Sequence, residues 1–170
     1  VANMFSQAKP KGSKVGVLTD GGGLGVLTAD AIDEYGMGLA EFSKKTSKKL
    51  RKSLPPYVNI TNPLDIVADS GTAAYRKALR AMMEDSNIDS VVVIVLFQAP
   101  AVDSRIIDVL VKESDRRKKP VVVVAVGGEY TEENRRVLDS YGIPTYGSPD
   151  AAIKTLKKFT DYSLFHKKKK

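Results

Sequence analysis

Val15-Gly-Val-Leu-Thr19 is a short β-branched stretch, and Asp20-Gly-Gly-Gly-Leu-Gly25 breaks it. Beyond the break, Leu24, Leu27, Thr28, Ala31, Ile32 and Tyr35 recur at helical spacing and share one predicted face. Gly36 and Gly38 stop that helix. Strand, glycine turn and helix in this order form the unit from which α/β sheets are wound. The alternation continues downstream. Residues 39–42 read as a second strand. A basic helix follows over about 46–53 and is ended by Pro55 and Pro56. Residues 57–66 are irregular around Asn62 and Pro63, and 72–84 read as a helix with Ala74, Ala78, Leu79 and Met82 inward. The unbroken apolar run at 91–97 predicts a strand covered on both faces. Helix over 103–118, strand over 121–126, helix over 131–141, strand over 143–146 and a closing helix from Ser148 complete the pattern. Ser148 is its expected N-cap and Pro149 its first helical residue. Five core strands alternating with helices predict an α/β, flavodoxin-like three-layer domain with a five-stranded parallel sheet of order 2-1-3-4-5.

The chain has 170 residues, enough for one domain with a sizeable core. The longest apolar run is far shorter than a membrane span, so no membrane partner is expected. Cysteine is absent, which excludes disulfides, thiolate metal sites and cysteine nucleophiles. His166 is the single histidine, so a histidine metal cluster is excluded and most histidine acid–base chemistry with it. Residues 1–13 lack the apolar core of a secretory signal and read as a linker from a preceding domain. The domain proper is expected over 14–165, with a basic tail at 166–170 and a cytoplasmic location.

The net charge is +7, and 14 of the 27 basic residues fall in three runs, at 44–52, 116–119 and 167–170. Outside them, 13 basic residues face 20 acidic ones, so the body is acidic with basic patches. Nucleic-acid binders gather basic residues on one face with aromatics between them. These runs lie apart in sequence without interleaved aromatics, so they read as solvated helix faces and no nucleic-acid partner is expected.

In a sheet of this order ligands bind at the carboxyl ends of the strands, where strand order reverses. The loops there are 20–25 and 98–103. Glycines between a strand and a helix let a ligand approach the backbone and leave the first helical N–H groups open to an anion, above all phosphate. The same glycines also suit a plain tight turn. The dinucleotide fingerprint fails, because Thr28 or Val26 stands at its third glycine, and no Lys-Ser or Lys-Thr follows for a Walker loop. The candidate phosphate-binding residues are Asp20, Gly21, Gly22, Gly23, Leu24 and Gly25. The candidates for a second, acid and phosphate pocket are Asn62, Asp65, Gln98, Ala99, Pro100 and Ala101. An Asn-Pro turn is the plainer reading of 62–65. Glu129 after Gly127-Gly128 is a further acid, without a visible partner.

Taken together, the segment 16–30, Leu54-Pro-Pro56, Asn62-Pro-Leu-Asp65 and Gly142-Ile-Pro-Thr-Tyr146 resemble the NDP-forming acyl-CoA synthetases. This family includes the ADP-forming acetyl-CoA synthetases and is related to succinyl-CoA synthetase. The resemblance covers about 11–159 and is to the third domain of the α subunit. It is similar to the carboxy-terminal domain of the succinyl-CoA synthetase β subunit. It implies a ligase converting acyl-CoA, ADP and phosphate to acid, CoA and ATP through an acyl phosphate and a phosphohistidine, with Mg. The phosphohistidine, CoA-binding and ATP-grasp domains would lie outside this chain, in a hetero-oligomer, so no catalytic side chain and no cofactor is expected in this domain alone. By resemblance, the helix beginning near Gly23 points its amino terminus at the phosphohistidine, and residues 98–101 line the acid and phosphate pocket. Asp20 stands where many members carry Asn. A silent interaction or regulatory module that keeps the fold without the chemistry is the alternative.

Overall fold

A computed structural model describes residues 2–168; Val1, Lys169 and Lys170, the last two belonging to the expected basic tail, lie outside the described residues. The elements in chain order are α1 (Ala2–Ser6), β1 (Lys14–Thr19), α2 (Gly22–Glu34), β2 (Gly38–Leu39), α3 (Lys44–Ser53), β3 (Leu64–Asp65), a 3-10 turn (Ala68–Ser70) and α4 (Gly71–Glu84). Then come β4 (Ser90–Ile94), α5 (Arg105–Ser114), β5 (Val121–Val124), α6 (Glu129–Ser140), β6 (Thr145–Tyr146) and α7 (Pro149–Lys168). Every strand pair is parallel, and the sheet runs β2-β1-β4-β5-β6 with β3 also on β1.

The expected five strands are therefore corrected to six. The sixth is β3, two residues inside the stretch read as irregular. β1 pairs with β2 at Lys14 and Val15, and with β3 at Leu18 and Thr19. One edge of β1 is thus shared by two short strands. Gly16 and Val17 lie in the gap between them, and the Asn62 amide fills it. Its Oδ1 accepts from Val17 N–H at 2.8 Å, while Nδ2 donates to Val15 O at 2.8 Å and Ala40 O at 2.9 Å. A side chain thus replaces a length of strand, satisfying backbone groups that burial would otherwise leave unpaired.

Side chains alternate across the strands. Val91, Val93, Val121 and Val123 pack on one face with Leu50, Leu79, Ile106, Leu110 and Leu138 of α3 to α6. Val15, Val17, Val92, Ile94, Val122 and Val124 pack on the other with Ile32 of α2 and Ile153 and Leu156 of α7. Met4 of α1 joins this second core, so the linker expected over 1–13 begins with a docked helix. Leu27, expected on the inner face of α2, is corrected to 56% exposed beside Val26 at 60%; Thr28, Ala31 and Ile32 are buried as expected. The closing helix starts as read, with Ser148 Oγ accepting from Ala151 N–H at 3.3 Å, and it continues to Lys168. At the far end of α4, the buried Lys119 ammonium donates to Met82 O at 3.0 Å and to Asp85 O, adding to the bonds that these carbonyls accept from Asp85 N–H at 3.2 Å and Ile88 N–H at 3.3 Å. No helix among the described residues is long and apolar enough to cross a membrane.

Candidate functional site

Of the loops that leave the carboxyl edge of the sheet, those after β1, β3, β4 and β5 touch one another. The β1 loop carries the glycine run. Thr19 Oγ1 lies 2.9 Å from both Gly21 N and Gly21 O, which fixes the turn. Gly21 is the N-cap of α2 and has no side-chain cap. Gly25 N–H bonds back to Gly21 O at 3.1 Å. The amides of Gly22, Gly23 and Leu24 in the first turn therefore have no acceptor within the helix. They carry the positive end of the α2 dipole at the sheet edge.

The glycines do not share one reason for being glycine. A Cβ on Gly21 would come within 2.9 Å of Leu96 Cδ1, on Gly22 within 2.8 Å of Asp65 Oδ2, and on Gly25 within 3.0 Å of Thr19 Cγ2. These three serve close packing of the loops. A Cβ on Gly23 would meet no atom within 4 Å. The packing does not require glycine there, whereas a ligand approaching the helix end would.

Asp20 does not join the amides. It is 4% exposed and turns inward, where Leu96 N–H donates to its carboxylate at 3.1 and 3.3 Å. Burial pushes its carboxyl above the usual range, and Asp65 adds to the push, against hydrogen bonds from Tyr75 and Leu96. Asp20 thereby ties the β1 loop to the end of β4. The apolar run at 91–97 yields a strand only to Ile94, because Leu96 N–H goes to Asp20 and the chain turns at Leu96 O, which accepts from Ala99 N–H at 2.9 Å.

Asp65, half-buried on β3, borders the start of α2 and accepts from Val67 N–H at 2.9 Å. Val67 has φ 55°, an unusual backbone for a β-branched residue that costs roughly 1–3 kcal/mol. Asn62 lies away from this edge, between β1 and β2, so it supports the site from behind. Gln98 reaches the first turn of α6: its Nε2 donates to Thr131 Oγ1 at 2.6 Å, over the backbone of Gly127. Ala99 is buried, Pro100 is exposed, and Ala101 O lies against Gly71, which has φ 63°. Thr72 Oγ1 donates to Asp103 Oδ1 at 3.1 Å, and Arg105 pairs with the same carboxylate group and holds it down to about 2. Glu129 opens α6 and is exposed.

The fold therefore brings together the β1 loop, Asp65 and the 98–101 loop, and sets Asn62 apart. Sequence reading missed Thr19, Val67, Tyr75 and Thr131. Tyr75 alone carried a signal, an aromatic one position from the inward Ala74 with a hydroxyl that burial obliges to find a partner. Among the described residues no three His, Asp or Glu side chains cluster to hold a metal ion.

Comparison with known proteins finds relatives over most of the chain. A Pyrococcus furiosus acetate–CoA ligase [ADP-forming] II subunit alpha is 35% identical over 155 residues, covering 88% of this chain and 34% of that protein. A Methanocaldococcus jannaschii acetate–CoA ligase [ADP-forming] is 36% identical over 167 residues, covering 95% of this chain and 24% of that protein. A crystal structure of a Pyrococcus horikoshii OT3 protein superposes with a TM-score of 0.89 at 30% identity, over 96% of this chain and 38% of that one. The chain spans about a third or less of the length of these two ligases. Residues 15–157, from β1 into α7, match the Ligase-CoA domain, so the chain belongs to the Ligase-CoA domain family.

Proposed function

We propose that the chain is one domain of an ADP-forming acyl-CoA ligase, converting acyl-CoA, ADP and phosphate to acid, CoA and ATP, and that its share of the work is to hold a phosphoryl group at the start of α2. The observation that carries this reading is the uncapped first turn of α2, with Gly23 backed by open space. The amides of Gly22, Gly23 and Leu24 would donate to phosphoryl oxygens. Donors fixed in place before the reaction stabilise the charge of a transferring phosphoryl group without reorganising. Such a contribution needs no proton transfer from this chain, in keeping with a run from Gly21 to Gly25 that carries no acid–base side chain.

Asp65 lies on the Gly22 side of the turn and repels an anion there, so the phosphoryl group is expected over Gly23 and Leu24. Gln98 to Ala101 would wall the acid pocket from the β4 side, with Gln98 held in place by Thr131. Family membership and relatives named as acetate–CoA ligases, at 31–36% identity, support the reaction class. The CoA, nucleotide and histidine-bearing parts, and any Mg site, would belong to domains or subunits beyond this chain, in a hetero-oligomer.

The test is Gly23→Val in the complete enzyme, followed by ATP formation from acetyl-CoA, ADP and phosphate. Because a Cβ at this position meets no atom within 4 Å, the fold is expected to persist and the rate to fall by about 100-fold or more, the size of losing one preorganised donor. A folded Gly23→Val enzyme with full activity would show that the glycine run is a turn and nothing else.

A further inference from the structure

Three segments that lead into strands meet at the amino edge of the sheet. Residues 8–11 precede β1, 83–86 precede β4 and 117–119 precede β5; because the strands are parallel, this edge is opposite the glycine run. The segments border an open cleft of about 580 Å³, the size of a small-molecule site. Its basic lining is Lys9, Lys11, Arg117, Lys118 and Lys119, and its acidic lining is Glu84 and Asp85. The basic run at 116–119 is thus joined by two lysines from before β1, a gathering that distance in sequence conceals. The acids are already engaged. Glu84 Oε2 pairs with Lys49 Nζ at 2.8 Å. The Asp85 carboxylate accepts from Ser43 N–H at 2.9 Å and Asn87 N–H at 3.0 Å. Nearby Asp89 accepts from Lys14 N–H at 3.0 Å. Lys119 donates to Met82 O and Asp85 O. Among the described residues, no carboxylate lies within 4.0 Å of the charged groups of Lys9, Lys11, Arg117 or Lys118. The backbone supplies a second observation. Arg117 has φ 48°, in the left-handed region that glycine or asparagine adopts more readily. Its N–H closes the turn after α5 on Ser114 O at 2.9 Å. A strained arginine bordering a basic cleft is accounted for if its side chain is needed there.

We propose that this cleft binds an oligophosphate, a chain of two or more phosphates that is either free or carried by a nucleotide. Four cations without an acidic partner, standing on two separate segments, exceed what one phosphate needs and suit a row of them. Lysines are mobile point charges that follow such a chain, and Arg117 adds a fork for one phosphate. The lining has no aromatic ring on which a base would stack, so recognition rests on the phosphates. The site lies across the sheet edge from the α2 amino terminus, so it does not depend on the phosphoryl cradle described above.

The experiment maps lysine reactivity in the complete enzyme. Amine labelling, read by mass spectrometry, is measured with tripolyphosphate, ATP, inorganic phosphate or polyglutamate at matched concentrations. Tripolyphosphate near saturation is expected to slow labelling of Lys9, Lys11 and Lys118 by about fivefold or more, and to leave Lys154 and Lys158 of α7 unchanged. The same protection by ATP would show that the phosphate chain is bound whatever carries it. Protection by ATP alone overturns the proposal, because it would come from the nucleotide site acting at a distance. Equal protection by inorganic phosphate, stronger protection by polyglutamate, or no protection at all also overturns it. Arg117→Gly removes the side chain and relaxes the left-handed backbone. Its thermal midpoint should therefore hold or rise, while its affinity for tripolyphosphate falls by about tenfold, the size of one charge-assisted hydrogen bond. Unchanged affinity in a folded Arg117→Gly enzyme overturns the proposal, and the wild-type labelling decides it should that variant not fold.

Discussion

Replacing Asn62 with alanine tests whether a side chain can serve as a piece of strand. The substitution removes one acceptor and two donors at once. Val17 N–H loses its partner at 2.8 Å and Ala40 O its partner at 2.9 Å. Val15 O is less affected, because Ala40 N–H also donates to it at 2.9 Å. Val15 and Val17 are 0% exposed and Ala40 is 2% exposed, so water does not readily replace the amide. Two stranded buried polar groups at about 1–3 kcal/mol each give a loss of roughly 3 kcal/mol. That is a large part of a typical stability of about 5–15 kcal/mol. With a urea dependence of about 2 kcal/mol per molar, the unfolding midpoint should fall by roughly 1.5 M. Asn62→Asp keeps an acceptor for Val17 but turns a charged oxygen towards two carbonyls, so it should cost at least as much. Urea titration followed by circular dichroism measures both. A midpoint for Asn62→Ala within about 0.3 M of wild type would refute the reasoning.

Two further outcomes concern Gly71 and Lys119. Gly71→Ala places a side chain at φ 63° with its Cβ 2.8 Å from Ala101 O, so stability should fall by about 2 kcal/mol or more in the same titration, and a loss under about 0.5 kcal/mol would mean that the 98–101 loop yields freely. Lys119 is pushed down to about 8 by burial, against the pull of Asp85 and Asp89, and its ordinary value is 10.5. Above about pH 8 the unfolded chain holds this proton and the folded one releases it, so stability should rise with pH by up to about 2 kcal/mol from pH 7.5 to 9.5 relative to Lys119→Met. Parallel pH curves for the two proteins would show that the ammonium keeps its proton in the fold.

Long-period patterns were the legible part of this sequence. The valine run of β4 and β5 and the spacing of α2, α4, α5 and α7 each repeat a local rule several times, so the layers follow from residue type. β3 was not legible, since two residues cannot display a period. Leu27 shows the limit of spacing arguments: it obeys the helical repeat, but it lies at the edge of the apolar stripe where the core ends. The site divides in the same way. The glycine run announced the loop, but the roles within it depend on what stands opposite each Cα, at Leu96, Asp65 or open space, and those partners come from remote segments. Asn62 bonds backbone atoms of Val15, Val17 and Ala40, and backbone atoms leave no trace in residue identity. Asp20 likewise read as a loop carboxylate because its Leu96 and Tyr75 partners lie on other elements.

The threefold pairing of β1 sets a constraint on the timing of folding. β1 is flanked by β2, β3 and β4, and Val15 pairs with Ser90, about 75 residues later. Contacts this distant in sequence close late and slow the reaction. At a synthesis rate of about 5–20 residues per second, the Val15 strand waits roughly 4–15 s for its main neighbour. Until then β1 can be flanked only by β2 and β3, leaving an open apolar edge where β4 will insert. The waiting edge is the segment at which a chaperone or an unwanted strand from another chain would first compete with the native sheet.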